Sequence, residues 1–108
     1  MAKYIIRFMP EYHSTSLWPV SDNAYSDLGI PIEYKTVGLS DLLMNRLENF
    51  DDSILGIIDW NNPAGDSPLN KEERECIYQE GLKLLQMVRN EISSDYEVID
   101  NLDWIKPE

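Results

Sequence analysis

The strongest constraint on the fold is an amphipathic helix that begins near residue 70. Asn70 and Glu73 have the spacing of a capping box, in which two side chains satisfy backbone N–H groups at the start of a helix. The stripe that follows at helical intervals comprises Ile77, Gly81, Leu84, Leu85, Val88 and Ile92. Such a stripe is buried against another element. A glycine within it costs about 1 kcal/mol relative to alanine, so we expect another element to approach the helix closely at Gly81.

A second helical pattern lies upstream of the first. Its apolar positions are Leu39, Leu42, Leu43, Leu47, Phe50, Ile54, Ile57 and Ile58. Ser40 precedes most of them as a helix N-cap. Residues 51–53, with the sequence Asp-Asp-Ser, interrupt helices more readily than they continue them. The pattern therefore predicts either one long helix or two short helices divided at residues 51–53.

The N-terminal segment has strand composition. Residues 3–9 are rich in β-branched and aromatic side chains, and we expect a central strand with Tyr4, Ile6 and Phe8 on one face. Residues 17–20 contain a proline, which confines a second strand to an edge or a strand end. The two segments are expected to pair as a hairpin.

The remaining segments complete the predicted order of elements. Cap-type residues at 21–23 and a glycine at 29 predict one or two helical turns. Residues 32–37 predict a further strand or an extended segment, and residues 96–100 predict a final strand. We therefore predict a single α+β domain over residues 1–108, in which two principal helices pack on one face of a small antiparallel sheet.

Charge limits the classes of partner. The chain has 20 acidic and 9 basic residues, a formal net charge of −11 and a pI near 4.3. This argues against binding to the phosphate backbone of nucleic acids and favours a basic protein partner. Residues 1–38 carry three basic and four acidic side chains, so nearly all of the excess lies beyond Gly38. Such a regional field is either a docking surface or a means of solubility.

The chain shows no pattern for export or for a membrane span. Residues 1–4 lack the apolar core of a signal peptide, and the chain has no run of about 18 apolar residues. A single cysteine, Cys76, has no partner for an internal disulfide. We therefore expect a cytoplasmic protein that does not bind membranes.

No motif for catalysis or for a cofactor is found. Glu73 and Glu80 lie on the same side of a helix as Cys76 and disfavour its thiolate, and His13 has no local signature of a triad. A zinc site is unfavourable because the chain has only one cysteine and one histidine. The loop near residue 60 does not have the ligand spacing of a calcium-binding EF-hand. The glycines are too widely spaced for a phosphate-binding loop. We predict no catalytic residue, no metal and no cofactor.

An ordered set of signals marks a family resemblance. They are Leu17-Trp18 after the first strand, Leu39-Ser40 before an apolar helix, the loop Asp59–Pro63, Gly81 within the next helix and Tyr96–Val98 near the end. Over roughly residues 3–100 the chain resembles immunity proteins of bacterial contact-dependent growth inhibition and related polymorphic toxin systems. The resemblance implies a cytoplasmic protein that binds the C-terminal toxin domain of its cognate effector and blocks the active site of that toxin.

Exposed carboxylates beside aromatic side chains are the candidate partner-binding residues. The candidates are Asp51, Asp52, Asp59, Trp60, Asp66 and Trp104. Trp60 lies in a loop whose turn chemistry does not account for it, and its alternative role is packing in the core beneath that loop. The alternative role of the carboxylates is solvation of loops and helix ends.

Three hypotheses about function follow. The first is an immunity protein that neutralises a basic toxin, with a nuclease and in particular a ribonuclease favoured, because an acidic protein can occupy a cleft made for phosphates. The second is a structural or regulatory subunit of a homo- or hetero-oligomer, which would use Trp60 or the Trp104-Ile105 pair. The third is a small enzyme that uses His13.

Overall fold

The computed structural model describes residues 2–107. These residues form a three-stranded sheet and three α-helices. The strands are Tyr4–Phe8 (β1), Leu17–Pro19 (β2) and Tyr96–Asp100 (β3), and the helices are Asp22–Leu28 (α1), Asp41–Leu55 (α2) and Lys71–Glu91 (α3). Two short 3-10 helices span Tyr34–Val37 and Asp103–Ile105. The α+β class is confirmed.

The sheet is mixed, which corrects the expected antiparallel arrangement. Its order is β2-β1-β3, so β1 is the central strand, as predicted. The predicted hairpin of β1 and β2 is antiparallel, but β3 runs parallel to β1, with Ile6 opposite Val98. The physical reason is the connection between them: α2 and α3 form a long crossover, which returns the chain to the end of the sheet where β1 began.

The core lies between the inner face of β1 and the long helices. The side chains of Tyr4, Ile6 and Phe8 are buried on this face, in the predicted alternation. The ring of Phe8 stacks on that of Phe50 from α2, with 6.1 Å between ring centroids. Among residues 2–107, no helix is long and apolar enough to cross a membrane.

Helix α2 runs without a break through residues 51–53, so one long helix forms rather than two. Ser40 caps it as predicted, since its side chain accepts a hydrogen bond from the Leu43 backbone N–H. Of the polar side chains that were expected to interrupt the helix, Asp51 is engaged outside it, where it accepts hydrogen bonds from Ser16 and Tyr34. Ser53 instead donates to the Asn49 carbonyl four residues earlier in the same helix. The tertiary hydrogen bonds of Asp51 thus remove its competition with the helix backbone.

The segment before α2 is compact rather than extended. Ile32 forms one isolated bridge to Leu17, and the chain then turns into the 3-10 helix at Tyr34–Val37. This helix buries the aromatic ring of Tyr34, which is 5% exposed. The alternative of a full strand at residues 32–37 is wrong because Tyr34 and Val37 are both buried at the spacing of a helical turn.

Helix α3 begins at the predicted capping box. The Asn70 side chain accepts a hydrogen bond from the Glu73 N–H, and the Glu73 carboxylate accepts one from the Asn70 N–H. The close approach expected at Gly81 is also confirmed. A β-carbon at this position would lie 3.1 Å from Phe50 Cζ and 3.2 Å from Leu102 Cδ2.

We predict that Gly81→Ala lowers the free energy of unfolding by about 1 kcal/mol or more, despite the higher helix propensity of alanine. Phe50 and Leu102 are only 2% and 1% exposed, so neither has room to move aside. Urea denaturation measures the change, and Lys83→Ala on the exposed face of α3 is the control. A Gly81→Ala protein as stable as the parent would show that the contact is loosely packed.

Candidate functional site

Four aromatic side chains from three distant segments meet at the surface. We call Tyr12, His13, Trp60 and Trp104 the aromatic cluster. The Tyr12 ring centroid lies 5.3 Å from that of Trp60 and 5.5 Å from that of Trp104, and both pairs meet edge to face. The His13 ring lies 5.3 Å from Trp60. Trp60 is 51% and Trp104 39% exposed, so the structure excludes the alternative in which Trp60 packs into the core.

The indole N–H groups hold both tryptophans in place. Trp60 Nε1 donates to the carbonyl of Leu55 at 3.0 Å, and Leu55 is the last residue of α2. Trp104 Nε1 donates to the Pro10 carbonyl at 2.7 Å. The polar edges of the rings therefore face the protein, and their apolar surfaces remain available to a partner.

The connection between β1 and β2 contributes the other half of the cluster. His13 adopts a left-handed backbone conformation, with φ of 59°, in which few residues other than glycine are found, although histidine is among the more tolerant. This conformation accompanies the placement of the His13 imidazole against Trp60. The side chain of His13 forms no hydrogen bond with another residue within 2–107, so this part of the chain supplies no triad for the hypothesis of a His13 enzyme.

A groove with a volume of about 530 Å³ adjoins the cluster at His13. We call it the acidic groove because its lining includes the carboxylates of Glu33, Glu48 and Asp51. Tyr34 lies in its wall, and Lys35 is the basic residue of its lining. The aromatic cluster is thus flanked on one side by a negatively charged depression.

Asp51 is anchored in the wall of this groove. Its two carboxylate oxygens accept hydrogen bonds from Ser16 Oγ and Tyr34 Oη, each at 2.6 Å. Burial raises the pKa of the Asp51 carboxyl to about 6, against the lowering effect of these two hydrogen bonds. Burial and the neighbouring Asp51 likewise raise the pKa of the Tyr34 hydroxyl. Asp51 therefore holds α2 to the β1–β2 connection as well as lining the groove.

The other predicted carboxylates lie in different surroundings. Asp52 follows Asp51 on α2 and is exposed. The half-buried Asp59 accepts a hydrogen bond from the Asn61 N–H, so it shapes the turn that follows Trp60. Asp66 is exposed further along the same loop. The structure thus brings Trp60 and Trp104 together around Tyr12, whereas the predicted carboxylates lie before and after Trp60 along the chain.

Sequence reasoning missed several residues of this surface. Tyr12, Glu33, Tyr34 and Glu48 were not among the predicted site residues, and His13 entered only the hypothesis of a small enzyme. The available signal was the presence of two adjacent aromatic rings in an otherwise polar connection. Within the described part of the chain, no group of three or more His, Cys, Asp or Glu side chains is arranged to hold a metal ion.

Comparison with known proteins decides the family. The family model described as Serratia CdiI immunity protein-like matches residues 4–100. The chain belongs to this family of immunity proteins. The resemblance to the immunity proteins of contact-dependent growth inhibition is thereby confirmed. A search of curated proteins finds no match.

Membership of the CdiI immunity proteins sets the general role of the protein. A CdiI immunity protein has a cognate toxin protein as its partner. Among the three hypotheses, the family match supports the first. In this CdiI-like protein, the exposed aromatic cluster has the aromatic composition that is enriched at protein-binding surfaces.

The raised pKa of Asp51 predicts a pH-dependent contribution to stability. The folded protein holds this proton more tightly than the unfolded chain, where the ordinary pKa is 3.8. Ionisation between pH 4 and pH 7 therefore lowers stability, by about 2 kcal/mol for a shift of this size. Asp51→Asn cannot ionise, so the stability of the parent minus that of Asp51→Asn should fall by this amount between pH 4 and pH 7.

Urea denaturation at the two pH values measures this difference, and Asp66→Asn in the exposed loop is the control. The stability of the parent minus that of Asp66→Asn should change much less over the same range. A difference for Asp51→Asn that is the same at both pH values would mean that Asp51 is not desolvated in the folded protein.

Proposed function

We propose that this immunity protein neutralises its toxin by covering the toxin's active site with the aromatic cluster and the carboxylates around it. The observation that carries the proposal is the pair of exposed indoles on either side of Tyr12. Aromatic side chains dominate the binding energy of protein interfaces because they bury a large area while few rotatable bonds are fixed. Contacts of this kind inhibit without chemistry by the immunity protein.

The indoles are ready for binding before the toxin arrives. The hydrogen bonds of Trp60 to Leu55 and of Trp104 to Pro10 fix both rings in the free protein. Binding then loses less side-chain entropy than it would with freely rotating rings, which favours a tight complex.

The charge supports a basic toxin. The net charge is −11, and the acidic groove lies directly beside the aromatic cluster through His13. A cleft that binds phosphates is basic, so a nuclease, and in particular a ribonuclease, is the class of toxin that this surface suits best. We place the complex in the cytoplasm, without a membrane or a nucleic acid as partner.

The proposed contact residues are Asp52, Asp59, Trp60, Asp66 and Trp104. Asp52 and Asp66 are exposed and offer their charge directly. Asp51 is the sixth residue of the proposed surface, and it contributes negative charge from the wall of the acidic groove while its oxygens accept internal hydrogen bonds. Tyr12 acts as a positioning residue between the two indoles.

We predict that Trp60→Ala weakens binding of the cognate toxin domain by about 30-fold, as expected for the loss of a central aromatic contact. Isothermal titration calorimetry with a catalytically inactive toxin domain measures the dissociation constant. Tyr25→Ala is the matched control, because Tyr25 is an aromatic residue on α1 with a similar exposure of 46%. Equal affinities of Trp60→Ala and Tyr25→Ala would remove the aromatic cluster from the interface.

We also predict that the double variant Asp59→Lys/Asp66→Lys weakens toxin binding by about tenfold or more, through slower association, and reduces protection of cells that make the toxin. Surface plasmon resonance at low and high salt resolves the association rate. Glu97→Lys and Asp22→Lys combined make the same charge change at two exposed positions elsewhere. If this control slows association as much as the loop variant does, the net charge of the whole molecule sets the association rate. The loop around Asp59 and Asp66 then makes no specific contribution.

A further inference from the structure

A second groove borders the aromatic cluster on the side of Trp104. It has a volume of about 510 Å³ and lies between the start of α3 and the turn after β3. Its lining includes three of the chain's nine basic residues, Lys71, Arg74 and Lys106. We call it the basic groove. In a protein with 20 acidic residues, this local concentration of positive charge has to be explained.

The basic side chains of this groove form no salt bridge with residues 2–107. Within residues 2–107 the structure has one salt bridge, between Arg46 and Glu80 on α2 and α3. Asp103 also lines the groove but lies beyond salt-bridge distance of all three cations. The Arg74 Nε atom is buried and has no hydrogen-bond partner among these residues. A buried guanidinium nitrogen without an acceptor is unfavourable unless an acceptor arrives from outside.

The groove is continuous with the aromatic cluster. Trp104 belongs to both, and its hydrogen bond to Pro10 fixes the ring that separates them. Arg74 also acts on Tyr12: burial raises the pKa of the Tyr12 hydroxyl, and the positive charge of Arg74 opposes that rise. A protein seated on the two indoles would therefore lie next to the basic groove.

At the start of α3, the capping box engages the backbone N–H groups of Asn70 and Glu73. These two donors are therefore not available to a ligand, and the donors relevant to the groove are its basic side chains. Lysine and arginine side chains from α3 and lysine from the turn after β3 line the same groove, and such a set matches a carboxylate, which accepts several hydrogen bonds at once. An acidic side chain of the partner fits this arrangement better than a neutral one.

We propose that the basic groove binds an Asp or Glu side chain of the cognate toxin, which accepts hydrogen bonds from Arg74 and one of the two lysines. This inference rests on the proposed function, since it needs the toxin to sit on the aromatic cluster. The contact surface then carries both signs of charge, negative in the acidic groove and positive in the basic groove. Two opposite charges at a distance fix the orientation of a partner and exclude toxins with a different charge pattern.

The test uses the full chain and an inactive form of the cognate toxin domain. Lys71→Glu and Lys106→Glu reverse the charge at two exposed positions of the groove, and Lys83→Glu makes the same change on the exposed face of α3 outside it. We expect each groove variant to weaken toxin binding by about tenfold, mainly through faster dissociation, and Lys83→Glu to change it little. Thermal unfolding verifies that all three variants are folded.

A double-mutant cycle identifies the occupant. Each exposed Asp and Glu of the toxin domain is changed to its amide and titrated against the parent and against Lys106→Gln. One toxin carboxylate whose loss has about tenfold less effect in Lys106→Gln than in the parent would support the proposal. No such carboxylate for Lys106→Gln, nor for Lys71→Gln in the same cycle, would overturn it.

The outcomes separate this inference from the proposed function. If Trp60→Ala weakens the complex while Lys71→Glu and Lys106→Glu do not, the basic groove lies outside the interface and the inhibitory surface stands. If the lysine reversals strengthen binding, the groove faces basic toxin residues and the inference is wrong. If the parent binds transfer RNA and the lysine reversals abolish that binding alone, the groove belongs to a nucleic acid and the inference is equally wrong.

Discussion

The close approach of three chain segments at Gly81 is the contact on which the rest of the structure depends. Phe50 from α2 and Leu102 from the turn after β3 both lie against the backbone of α3 at this point. Because Gly81 has no side chain, α2 can pack closely against α3, and the turn after β3 can lie against α3 at the same point. Trp104 follows Leu102 by two residues, so its position beside Tyr12 and the shape of the basic groove both follow from this packing.

The local parts of this fold are encoded locally and could be predicted from the sequence. Caps at Ser40 and Asn70, the alternation in β1 and the glycine on the α3 stripe each depend on neighbouring residues. The direction of β3 could not be predicted, because alternation of apolar side chains is the same in parallel and antiparallel strands. The continuity of α2 through Asp51 depends on Ser16, which lies 35 residues earlier, and no local propensity reveals that hydrogen bond.

Two aromatic residues of the candidate site could be named from the sequence, but the surface on which they meet could not. Trp60 and Trp104 were identified because large aromatic side chains in turns have no local role. Their contacts with Tyr12 depend on the tertiary structure, because Tyr12, Trp60 and Trp104 are each separated by more than 40 positions in the sequence. The pair Asp51 and Asp52 shows the opposite case. Two adjacent acidic residues predict two solvated carboxylates, but Asp51 is largely buried against Tyr34 and only Asp52 is exposed.

The aromatic cluster draws on the beginning, the middle and the end of residues 2–107. A fragment that stops before Trp104 lacks one of its two exposed indoles. The surface proposed to bind the toxin is therefore complete only after both long helices have formed and the turn after β3 has packed beside Tyr12.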